Sequence, residues 1–92
     1  MNTRLDEDRT RIDEIDQQLT ALFEQRFKVV ADVIDYKIEN RLPILDAGRE
    51  NIIIEKNCGR IEDEDIRPYF RKWYLEMLKL SKEYQKEILD EK

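Results

Sequence analysis

Between Ile12 and Lys37, apolar side chains recur at Ile12, Ile15, Leu19, Leu22, Val29 and Val33, in alternating threes and fours once Arg26 takes its place in the series. That heptad rhythm marks one long helix laid against another along its length. The spacing predicts a helix from about Asp6 to about Asn40, with Val30 and Ile34 widening the stripe. At a rise of ~1.5 Å per residue it is roughly 50 Å long, whereas a compact domain of this size has a radius of gyration of only ~13 Å. The helix must therefore project beyond its own chain or pair with a second copy.

Pro43 ends this helix, because it biases Leu42 away from helical geometry and offers no N–H. Asp46 is suited to cap a second helix, accepting from backbone N–H groups of the first turn. The run Ile52-Ile53-Ile54 has the composition of a buried strand. Its charged flanks Arg49, Glu50, Glu55 and Lys56, with Gly59 in place to cap, favour a short helix instead. A polar connection from Arg60 to Asp65 follows. Pro68 fits only a first turn, so a third helix is expected to start near Asp65. Its expected apolar face is Ile66, Phe70, Trp73, Met77, Leu80, Tyr84 and Ile88. The fold expected is all-α, with three helices in one domain spanning residues 1–92.

Composition narrows the function. Two glycines and two prolines in 92 residues leave too few turns for a sheet protein. A net charge of −5 lacks the broad positive field that nucleic-acid or membrane-surface binding requires. Cys58 is the one cysteine and histidine is absent, so neither a disulfide within the chain nor a cysteine- or histidine-based metal motif is available. No run is long enough to cross a bilayer, and the polar N-terminal stretch from Thr3 to Asp13 lacks a signal-like apolar core. The expected location is cytoplasmic.

Several charged residues break the apolar pattern. Arg26 and Lys37 fall in the stripe itself, where desolvating a cation costs several kcal/mol unless it is paired. One such residue is explained by a carboxylate across the helix interface, or by a stem that snorkels to water. Two on one stripe, with no acid in that stripe between them, point to an anionic ligand. Arg9 lies at the edge of the same face but about 25 Å away along the axis, too far to share a small molecule with Arg26 on one straight helix. An antiparallel copy could bring Arg9 of the partner chain alongside the Arg26–Lys37 region. Spacing alone favours a solvated Arg9 and leaves Arg11 as a competitor. Asp46 and Glu50 have plain roles as cap and first-turn acid, and Ser81 with Gln85 form a polar pair one turn apart.

Taken in register, Arg9, Arg26, Lys37, Asp46, Arg49, Glu50, Ser81 and Gln85 resemble the polar pocket of the all-α chorismate mutase family. The resemblance covers nearly the whole chain. Its most specific element is the lysine, the Pro43-Ile44 segment, and Asp46 followed by Arg49-Glu50. Gly48 departs in detail, since glycine should loosen the first turn there. The resemblance implies an intertwined homodimeric helical bundle with sites shared between chains. It also implies conversion of chorismate to prephenate by a concerted Claisen rearrangement, with no metal, no cofactor and no covalent intermediate.

On that resemblance, Arg26 and the partner chain's copy of Arg9 clamp the two substrate carboxylates. Lys37 and Gln85 donate to the ether oxygen, while Glu50 and the backbone near Asp46 hold the ring hydroxyl. Arg49 orients its acidic neighbours and Ser81 adds a donor to a carboxylate. Two rival readings remain: an isochorismate pyruvate lyase on the same fold, and a non-enzymatic helical dimerisation module. An acid at position 50 favours the mutase over the lyase.

Overall fold

The computed structural model describes residues 3–92. It contains α1 (Arg4–Glu39), α2 (Ala47–Cys58) and α3 (Arg67–Glu91). Helix α1 starts slightly before the expected Asp6, because Thr3 and Asp6 close a capping box. The Asp6 N–H donates to Thr3 Oγ1 at 3.1 Å, and the Thr3 N–H donates to Asp6 Oδ2 at 3.3 Å. The triple isoleucine lies within α2, as its charged flanks predicted. Gly59 caps α2 in an ordinary right-handed conformation, so this end needs no left-handed residue. Helix α3 starts at Arg67 rather than near Asp65: residues 64–66 form a turn, and Pro68 sits in the first helical turn, where its missing N–H costs nothing.

Helix α3 is the common partner of the other two. It runs parallel to α1, with Phe27 against Tyr84 at a centroid distance of 5.3 Å and Asp35 meeting Lys92 at 3.6 Å. It runs antiparallel to α2, where Glu50 meets Lys82 and Glu55 meets Arg71. The buried centre comprises Ile54, Cys58, Tyr74, Met77 and Leu78, flanked by Ile53 and Phe70. The buried Tyr74 accepts from Asn57 Nδ2 at 2.9 Å, so its hydroxyl is not left unpaired in the core.

Within the single chain this packing covers part of the expected face of α3, with Met77 buried and Phe70, Tyr84 and Ile88 half-buried, and adds residues beside it. Tyr74, Met77, Leu78, Ser81 and Gln85 are buried, whereas Ile66, Trp73 and Leu80 are about half exposed. The cause is that α3 serves two neighbours on adjacent sides. Its buried stripe is therefore rotated from the one that hydrophobicity alone selects.

The heptad stripe of α1 is largely uncovered by its own chain. Ile12, Ile15, Leu19, Leu22, Val29 and Val33 are all exposed, and Ile34 is the buried residue of α1. The molecule measures 58 × 28 × 14 Å, with a radius of gyration of 17.0 Å, because the N-terminal part of α1 extends past the other helices. Among the described residues, no helix is long and apolar enough to cross a membrane.

The end of α1 is a Schellman motif. The Leu42 N–H donates to the Lys37 carbonyl at 2.8 Å and the Arg41 N–H to the Ile38 carbonyl at 3.3 Å. Closing it puts Arg41 at φ 54°, a left-handed conformation that a residue with a Cβ adopts at a cost of ~1–2 kcal/mol. Arg41→Gly removes that cost, partly offset by the greater freedom of glycine in the unfolded chain. The expected outcome is a gain of roughly 0.5–1 kcal/mol, read as a rise of a few degrees in Tm. An unchanged or lower Tm would show that the arginine side chain compensates for its backbone.

Candidate active site

Where α1 ends, α2 begins and the middle of α3 passes, a cavity of about 200 Å³ opens. From α1 it is lined by Arg26, Val30, Val33 and Lys37, from the connection by Ile44 and Asp46, and from α2 by Arg49, Glu50 and Ile53. Helix α3 contributes Leu78, Ser81, Lys82 and Gln85. Of the residues singled out from the sequence, Arg26, Lys37, Asp46, Arg49, Glu50, Ser81 and Gln85 therefore share one wall. Arg9 does not, being exposed on the projecting arm of α1.

Each element sets its side chains for a local reason. Lys37 Nζ donates to the Ile44 carbonyl at 2.7 Å, so the lysine is tied to the connection by its side chain as well as its backbone. An ammonium has three protons, so two remain free to serve a ligand. Asp46 Oδ1 accepts the Arg49 N–H at 3.0 Å, which caps α2 and sets the direction in which Arg49 and Glu50 leave it. Gly48 in that first turn is not demanded by packing: an added Cβ would meet only Asp46 Oδ1, at 3.7 Å. Ser81 and Gln85 are buried on α3, and Gln85 Nε2 makes a long 3.4 Å bond to the Ser81 carbonyl.

Two polar atoms at this cavity are buried without a hydrogen-bond partner, Arg26 Nη1 and Gln85 Oε1. Buried polar groups are nearly always satisfied, so an orphaned guanidinium donor beside a cavity marks a place for an acceptor. A carboxylate suits it, since arginine's planar fork matches two oxygens.

Lys82 belongs to this wall and was not singled out from the sequence. Its Nζ lies 2.6 Å from Glu50 Oε1 and 3.1 Å from Oε2. No local pattern reveals this, because the partners are 32 residues apart and meet only when α2 packs on α3. Volume alone does not choose the site. A larger groove of about 570 Å³ between the end of α2 and the start of α3 has its cations committed. There Arg71 pairs with Glu55, whose hydrogen bond and charge hold the guanidinium pKa above its ordinary value, and Arg67 donates to the Cys58 and Ile61 carbonyls.

Fold and site together define an all-α domain with a small cation-rich pocket built at a three-helix junction. Residues 8–86 match the family described as chorismate mutase type II, and the chain belongs to that family. A bifunctional chorismate mutase/prephenate dehydratase of Buchnera aphidicola subsp. Schizaphis graminum (strain Sg) is 39% identical over 54 residues. That stretch covers 56% of this chain and 14% of the relative.

The orphaned guanidinium makes Arg26 costly to the unliganded protein. Replacing it by an apolar residue of similar length removes an unsatisfied buried donor, worth ~1–3 kcal/mol. Arg26→Met is therefore expected to raise the melting temperature of the unliganded protein while abolishing anion binding. A clear drop in Tm would make Arg26 a structural ion-pair residue instead.

Proposed function

We propose that this chain is a chorismate mutase, converting chorismate to prephenate in phenylalanine and tyrosine biosynthesis. The observation that carries the reading is the orphaned Arg26 donor, in a cavity walled by the other residues of the family pocket within one chain. The rearrangement breaks an ether C–O bond as a new C–C bond forms, so negative charge gathers on the ether oxygen. No proton transfer or nucleophile is required. The site needs only to hold the folded conformer and to meet that charge with fixed donors.

Arg26 takes a substrate carboxylate with its free guanidinium edge. Lys37, anchored at Ile44, presents its remaining protons to the ether oxygen, and Gln85 adds an amide N–H. Glu50 accepts from the ring hydroxyl, with the α2 N-terminus at Asp46 beside it, while Arg49 and Ser81 complete the polar wall. Incubation with chorismate should consume it with prephenate as the product. Pyruvate release from isochorismate without chorismate turnover would replace this reading with the lyase.

Lys37 is the most direct test of mechanism. A donor that meets charge present only in the transition state acts mainly through kcat. Losing one such preorganised donor costs ~2.7–4 kcal/mol, a hundred- to thousandfold in rate. Lys37→Ala is expected to lose at least that much kcat while staying folded by circular dichroism. Near-wild-type kcat would remove Lys37 from the breaking bond.

The working form on this reading is a cytoplasmic homodimer that covers the bare α1 stripe, with Arg9 of each chain completing the other's pocket. Two features support it: the exposed run of Ile12, Ile15, Leu19 and Leu22, and the absence of Arg9 from its own chain's cavity. The protein should sediment as a dimer, with a Tm that rises with concentration. Mixing Arg9→Ala and Lys37→Ala chains should restore part of the activity, because a heterodimer carries one intact site. No recovery despite demonstrated subunit exchange would reject shared sites.

A further inference from the structure

Lys82 and Glu50 differ from the other ion pairs among the described residues. Lys28–Glu24, Arg71–Glu55 and Lys92–Asp35 all lie with their side chains about half exposed or more. In the Lys82–Glu50 pair, relative side-chain exposure falls to 37% and 19%. The grip is two-pronged, at 2.6 and 3.1 Å, and it joins α2 to α3 at the cavity wall. Neighbouring Lys79 and Lys86 on α3 are exposed and do not line the cavity, so Lys82 is not one of a general row of surface lysines.

The charges in the wall explain what this pair accomplishes. Arg26, Lys37, Arg49 and Lys82 face only two carboxylates, Asp46 and Glu50. Asp46 is committed to capping α2. Glu50 is the anion left to confront a ligand that itself carries two carboxylates. Without Lys82 it would repel that ligand, or swing to Lys37 or Arg49 and consume a donor the ligand needs. We propose that Lys82 is a positioning residue. By holding both Glu50 oxygens it aims that carboxylate at the ligand hydroxyl, and it makes an acid in this pocket compatible with a dianionic substrate. This rests on the reading that the cavity takes chorismate.

A double-mutant cycle tests it, using Lys82→Ala, Lys82→Arg, Glu50→Gln and the Glu50→Gln/Lys82→Ala double variant, with kcat and KM measured on chorismate. Lys82→Ala is expected to raise KM roughly five- to tenfold, with a smaller fall in kcat. Lys82→Arg, which keeps the charge and the reach, should recover most of the loss. In the Glu50→Gln background there is no carboxylate to hold or neutralise, so adding Lys82→Ala should change kcat/KM by less than about twofold. An equal effect of Lys82→Ala in both backgrounds, or an unchanged KM, overturns the proposal. If the wild-type protein does not turn over chorismate, the functional reading fails and takes the substrate role of Lys82 with it. The pair itself is then judged on the melting temperatures of unliganded wild type, Lys82→Ala, Glu50→Gln and the double variant, where strict additivity would show that Lys82 does not hold Glu50 at all.

Discussion

The packing of α3 against both other helices is the contact on which the structure depends. Helices α1 and α2 have α3 as their shared partner, so the relative position of Lys37 and Glu50 is transmitted through it. Tyr74, Met77 and Leu78 fill the junction near the middle of α3 and lock it to Ile54 and Cys58. One turn further on, the same buried stripe turns polar at Ser81 and Gln85. A single helix face thus supplies first the core and then the pocket wall. The polar part survives burial because it borders a cavity, where a ligand can satisfy what the protein does not.

Charge determines the character of that cavity. A protein with a net charge of −5 presents four cationic side chains in one wall against two carboxylates. The positive excess is local and built from opposed elements, so it suits a small anion without giving the molecule a basic surface. The acids are each engaged: Asp46 with the α2 N-terminus, and Glu50 with Lys82. Arg26 keeps a buried donor with no protein acceptor. A buried donor in that state lowers stability and leaves hydrogen-bonding capacity open to an acceptor in the cavity.

Stability is the other side of this arrangement. The exposed stripe from Ile12 to Leu22 is too large and too regular for a surface left in water. A chain of this size buries a limited core by itself, so covering that stripe with a second copy would add the apolar burial that the compact half lacks. The strained Arg41 shows that local energy is tolerated at the α1 terminus. There the Schellman turn sends the chain back so that Ile44 meets Lys37.

The helices, their breaks and most of the pocket membership were legible in the sequence. Period and punctuation are local properties, so the heptad of α1, Pro43, Asp46, Gly59 and Pro68 delimit the three elements to within two or three residues. Arg26 and Lys37 betrayed themselves as cations in an apolar stripe. The rotation of the α3 face was hidden, because a helix that serves two neighbours buries residues according to where those neighbours lie. Ser81 and Gln85 became buried on that account while Trp73 and Leu80 did not. Lys82 was hidden for a related reason: among several lysines on α3, only contact with α2 distinguishes the one that meets Glu50. Local pattern determined what the elements are. Packing between elements distant in the chain decided which of their charges meet, since that depends on distances that exist only after folding.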